Sequence, residues 1–161
     1  MRGRVPFDDE CATPVESTTR RARAHTISAT GILSVDVLAS RILLHPSDLE
    51  RSLRFYGETL GLAVFREWGS GAHRGVVFFL GAGLLEVSGA SSEPPSHAVR
   101  LLLQVRDVQR EWRRLAAADV AIEEEPTRKP WGLIEMVARD PDGLAIVIVE
   151  VPPDHPQRRA A

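Results

Sequence analysis

The hydrophobic pattern from Arg41 onward reads as one unit of structure that then repeats. Arg41-Ile-Leu-Leu-His-Pro46 has the character of a short strand, and Ser47-Asp48 follows as a helix cap. Leu49, Leu53, Tyr56 and Leu60 recur at helical spacing, and Gly61 stands where a helix-closing glycine belongs. Strands are predicted over 62–68, 75–80 and 84–88, joined by the glycine-rich turns Gly69-Ser-Gly71 and Gly81-Ala-Gly83. A polar, proline-containing connector, Ser91 to Ser96, ends the unit. The same syntax then returns. Arg100 to Asp107 is a strand ending in a capping aspartate, and Val108, Trp112 and Leu115 mark a helix. Strands are expected near 120–124, 133–139 and 144–151. Arg41, Leu43, Leu44, Asp48 and Arg51 coincide in type with Arg100, Leu102, Leu103, Asp107 and Arg110, which supports duplication of a βαβββ unit.

Alternation within the strands says how such units bury themselves. Ile42 and Leu44 oppose Arg41, Leu43 and His45; Leu85 and Val87 oppose Leu84, Glu86 and Ser88. In the repeat, Leu101, Leu103 and Val105 oppose Arg100, Leu102 and Gln104, while Ile146 and Ile148 oppose Ala145, Val147 and Val149. One face of each strand is apolar and suits packing under a helix; the other is mixed, as a ligand cavity requires. The predicted class is therefore α+β: two βαβββ modules in a curved, mostly antiparallel eight-stranded sheet around a cavity, helices outside.

Composition narrows the possible partners. The chain has 161 residues, one cysteine (Cys11) and a formal net charge of −2, so one domain with a tail is expected. Near-neutral charge gives no reason to expect nucleic acid, and no apolar run is long enough to cross a membrane. A lone cysteine cannot form an internal disulfide; it suits a reducing compartment, and a cytoplasmic location is expected. All basic residues except Lys129 are arginine, which reads mostly as codon bias. Residues 1–39 show no sustained period and are expected to be a disordered or mis-assigned extension. Within them Arg20-Arg21 raises a twin-arginine export signal as an alternative. The domain is placed at 40–152, with a short tail at 153–161.

Ser47-Asp-Leu-Glu-Arg-Ser-Leu-Arg-Phe-Tyr56, Leu60-Gly-Leu62, Val105-Arg-Asp-Val108, Pro130-Trp-Gly132 and Asp140-Pro-Asp-Gly143 together resemble the vicinal oxygen chelate superfamily. That superfamily includes glyoxalase I, extradiol dioxygenases and bleomycin-resistance proteins. The resemblance implies a divalent metal held by first and last strands of each module. Carried over by position, the ligand places fall on Arg41, Glu86, Arg100 and Val147, of which only Glu86 can coordinate. No metal or other cofactor is therefore expected; a shifted site using His45 and Glu86 is the alternative. The duplication implies that Arg41 and Arg100 meet across a pseudo-twofold axis with Glu86 nearby. Such a floor either satisfies itself or clamps an anionic group of a small organic ligand. His45 shares the face of Arg41, and Trp131 matches a loop that borders the drug pocket in bleomycin-resistance relatives, where it could stack on a ligand or anchor the loop. Trp68 with Phe78 or Phe79 could add apolar wall, and Glu135 could enter the cavity. His73, His97 and His155 read as solvated. The resemblance further implies a homodimer. Sequestration of a small molecule is the leading expectation. The alternatives are an enzyme, a lyase, isomerase or oxygenase with a relocated metal or with Glu86 as general base, and a non-catalytic interaction module.

Overall fold

In each half of the molecule a strand, a helix and three further strands follow in order, as the repeat implies. The computed structural model describes residues 35–159, so the expectations for the first 34 residues lie outside it. The first module comprises β1 (Ile42–Leu44), α1 (Leu49–Arg54), β2 (Val64–Trp68), β3 (Gly75–Leu80) and β4 (Gly83–Ser88). The second comprises β5 (Arg100–Val105), α2 (Val108–Ala117), β6 (Ile122–Arg128), β7 (Ile134–Arg139) and β8 (Ala145–Glu150). Both predicted caps hold: the Asp48 side chain accepts from the Arg51 N–H and the Asp107 side chain from the Arg110 N–H. α1 passes into a π turn, Phe55–Thr59, and the chain leaves it through Gly61 at φ +76°, a left-handed conformation that glycine adopts without strain.

The strands hydrogen-bond as two open four-stranded sheets, ordered β1-β4-β3-β2 and β5-β8-β7-β6. In each, the first strand runs parallel to the last and the remaining pairs are antiparallel. The helix-side residues of both sheets share one core. Leu53, Tyr56, Phe78, Leu85 and Val87 of the first module join Leu101, Leu115, Met136, Ile146 and Ile148 of the second. The helices thus stand at the junction of the modules, and the opposite faces of the two sheets turn away from the shared core. No helix among the described residues is long and apolar enough to cross a membrane.

Much of the recognised sequence pattern forms the clasp between modules. The buried Tyr56 hydroxyl donates to Asp140 Oδ2 at 2.8 Å, while Asp140 Oδ1 accepts from the Asp142 and Leu144 N–H groups and so shapes the β7–β8 turn. One residue pair along, Asp142 accepts from the Ser47 N–H at 2.9 Å and from Arg51 at 2.6 Å. Arg114 of α2 closes the other end by donating to the carbonyls of Thr59 and Leu60. Burial pushes the Tyr56 phenol pKa up, with the Asp140 charge acting in the same direction. Burial alone would also raise Asp142, but hydrogen bonds from Ser47 and the charge of Arg51 hold it below the ordinary carboxylate range.

Candidate functional site

On the face of the first sheet away from α1, the parallel pairing of β1 and β4 sets Leu43 opposite Glu86. Strand alternation then gathers Arg41, Leu43 and His45 with Leu84, Glu86 and Ser88. Arg41 Nε lies 3.1 Å from Glu86 Oε2, and the Ser88 hydroxyl donates to Glu86 Oε1 at 3.1 Å. Each carboxylate oxygen therefore already holds a donor. The Glu86 side chain is only 12% exposed and that of Arg41 38%, so this pair forms the floor of the face rather than a freely solvated surface pair. His45 Nδ1 lies 2.7 Å from the Ser88 carbonyl. A carbonyl can only accept, so Nδ1 carries the proton and Nε2 is left as an acceptor in the neutral ring.

A wall rises beside this floor. Across β3, Val77 and Phe79 share the face, and β2 contributes Arg66 and Trp68 through the pairs Arg66–Val77 and Trp68–Gly75. Phe65 packs edge-on against Phe79 with centroids 5.1 Å apart. A cavity of about 260 Å³ opens here, lined by Ala39, Ser40, Arg41, Phe65, Arg66 and Leu84. Leu43, Phe65 and Phe79 remain about half exposed around it. Phe78, an alternative wall residue from the sequence, points instead into the shared core.

The second sheet does not mirror this face. Val137, Ala145, Val147 and Val149 form a buried apolar cluster with Leu133 packed against it. Val147 therefore holds an aliphatic contact at the position where the family ligand would stand. Arg100, at the start of β5 opposite Ala145, is exposed and has no acidic partner among the described residues. No described cavity is lined by both Arg41 and Arg100. The helix sides of both sheets join the common core, and strand alternation puts Arg41 and Arg100 each on the opposite face of its own sheet.

Trp131 also lies in the second module. Its indole N–H donates to Glu135 Oε1 at 2.6 Å, and its ring is exposed. His155, expected to be solvated, is half-buried and places Nε2 3.0 Å from the Trp131 carbonyl, fastening the C-terminal turn to this loop. His73 and His97 are exposed as expected. Phe65 and Arg66 are the site residues that sequence reasoning missed. A register shift between Val64 and Arg66 sets how β2 presents them, and strand alternation carries no signal of such a bulge. A separate cleft of about 390 Å³ lies between the modules, lined by Leu60, Leu62, Leu80, Leu103, Gln104 and Arg114 among others. It holds none of the floor residues. Among the described residues no group of three or more His, Cys, Asp or Glu side chains is placed to hold a metal ion.

Comparison with known proteins agrees with this architecture. TnmS3, an antibiotic binding protein from Streptomyces sp. CB03234, superposes with a TM-score of 0.59 at 25% identity, covering 72% of this chain and 99% of that one. A glyoxalase-related enzyme from Fulvimarina pelagi gives 0.57 at 26% identity, covering 73% and 90%. TioX from Micromonospora sp. ML1 gives 0.57 at 18% identity, covering 70% and 95%, and shares the fold. No curated protein matches the sequence. Residues 38–148 match the model of the Glyoxalase/Bleomycin resistance protein/Dioxygenase superfamily, and the chain belongs to that superfamily.

Proposed function

We infer that this protein binds a small organic molecule on the open face of its first sheet, over Arg41 and Glu86, and does so without the family metal. The observation that carries the reading is the engaged carboxylate. Glu86, the one ligand-competent residue of the four family positions, has Arg41 on one oxygen and Ser88 on the other. Arg41 and Arg100 have no lone pair to give a cation, and Val147 has no donor. The residues present do not fit a metal; they fit a polar floor beneath an apolar wall. Binding needs nothing more, and sequestration of a ligand is in keeping with the antibiotic-binding relative. Exposed Leu43, Phe65 and Phe79 on one sheet, with Leu102 and Trp131 on the other module, favour a second copy covering these faces. His45 would supply an acceptor at the far end of the floor. A catalytic role for Glu86 as general base would have to use its remaining lone pairs beside Arg41 and Ser88, whereas binding needs no such step.

Metal analysis of protein dialysed after purification tests this. Substoichiometric nickel, zinc, iron and manganese, with ligand affinity unchanged by a chelator, is the expected result. One equivalent of any of these metals retained per chain would overturn it.

A further inference from the structure

The floor pair does not account for Arg66, which lines the same cavity and has no acidic partner among the described residues. Its neighbour in sequence, Glu67, pairs with Arg74 instead. What holds Arg66 is an aromatic ring: its guanidinium carbon lies 5.3 Å from the centroid of Trp68. Trp68 in turn has a built seat. Its cross-strand partner is Gly75, where a Cβ would fall 2.3 Å from Trp68 Cζ2 and 2.7 Å from Cε2. The indole thus lies against bare backbone, which no residue with a side chain at position 75 would permit. Gly75 seats Trp68, Trp68 orders Arg66, and Arg66 faces the cavity shared with Arg41.

Charge and shape then restrict the occupant. Two guanidinium groups line the cavity; Arg41 is paired with Glu86, which leaves the charge of Arg66 to be balanced. Phe65 and Leu84 give the rest of the lining an apolar surface with one ring. A volume of about 260 Å³ suits a one- or two-ring compound rather than a large one. The geometry points to an aromatic monoacid as the ligand class, its carboxylate held by Arg66 and Arg41 and its ring against Phe65. This rests on the function proposed above and adds Arg66 as the residue that selects for the acid, with Trp68 as its positioning residue.

Calorimetric titration with 2-naphthoate and its uncharged counterpart 2-naphthamide tests the inference. The wild-type protein should bind the acid at least about tenfold more tightly than the amide, the scale of one charged hydrogen bond. Arg66→Gln should abolish that preference while leaving amide affinity within about twofold, so that a folding defect would show in the amide. Trp68→Leu should reduce the preference and Trp68→Phe restore most of it. Equal binding of acid and amide by the wild type, no binding of either, or an acid preference that survives Arg66→Gln would each overturn the inference. In the last case, loss of the acid in Arg41→Ala would leave the proposed function standing. Acid binding indifferent to both arginines would remove that function as well.

Discussion

Replacing Tyr56 with Phe removes one oxygen from the clasp that joins the modules, and the cost can be worked from its surroundings. The hydroxyl donates to Asp140 Oδ2 at 2.8 Å, with Tyr56 fully buried and Asp140 only 5% exposed, so water cannot take its place. A hydrogen bond to a charged acceptor contributes about 1.5–3 kcal/mol, and stranding a buried charge costs more. Asp140 is not stranded, because its other oxygen keeps the Asp142 and Leu144 N–H groups. The lower part of the range, about 1.5–2 kcal/mol, is therefore expected. For a domain of this size that lowers Tm by roughly 6–8 °C. Urea denaturation followed by circular dichroism, with the m-value checked for constancy, measures it. Asp140→Ala should cost more, about 3–5 kcal/mol, since it leaves the tyrosine hydroxyl and two backbone donors unmet together. A Tyr56→Phe loss under about 0.5 kcal/mol would refute the view that this bond joins the modules.

The neighbouring Asp142 makes the clasp acid-sensitive. Its folded pKa lies below the 3.8 of the free group, so its contribution is present above pH 3.8 and is lost as pH falls through the folded value. Urea midpoints measured between about pH 2 and 6 should fall more steeply in the wild type than in Asp142→Asn. Gly75→Ala should push Trp68 off the sheet and shift its emission to the red, at a stability cost of about 1 kcal/mol because the indole can swing into solvent; unchanged emission would contradict the seat described for it. Asp107→Ala should cost about 1 kcal/mol by removing the α2 cap, as read from thermal denaturation.

The modules were legible in the sequence because their signals are local. Asp48 and Asp107 cap helices through bonds to residues three positions on, and Leu85 and Val87 alternate with Leu84 and Glu86 whatever the rest of the chain does. The family resemblance put Arg41 and Glu86 at one site, and the parallel pairing of β1 with β4 brings them into contact. What periodicity could not carry was the way the modules dock. Tyr56 and Asp140 are 84 residues apart, and their bond turns both helix sides toward one core. The bulge beside Arg66 was equally hidden, because a register shift belongs to a strand pair and leaves no mark on one strand. Val147 shows the opposite case. As a residue type it already excluded a metal ligand, and its place in a buried cluster says what it does instead.

The central claim is that the face over Arg41 and Glu86 holds the ligand. A thermal-shift screen of natural-product antibiotics and aromatic acids, run in parallel on wild type and Arg41→Ala, tests it most directly. A compound supplied at about one hundred times its Kd stabilises the folded state by about 2.7 kcal/mol, roughly a 10 °C rise. The account predicts compounds that give such a rise in the wild type and little or none in Arg41→Ala. Compounds that stabilise both proteins equally would place binding elsewhere, such as the cleft between the modules, and would contradict it.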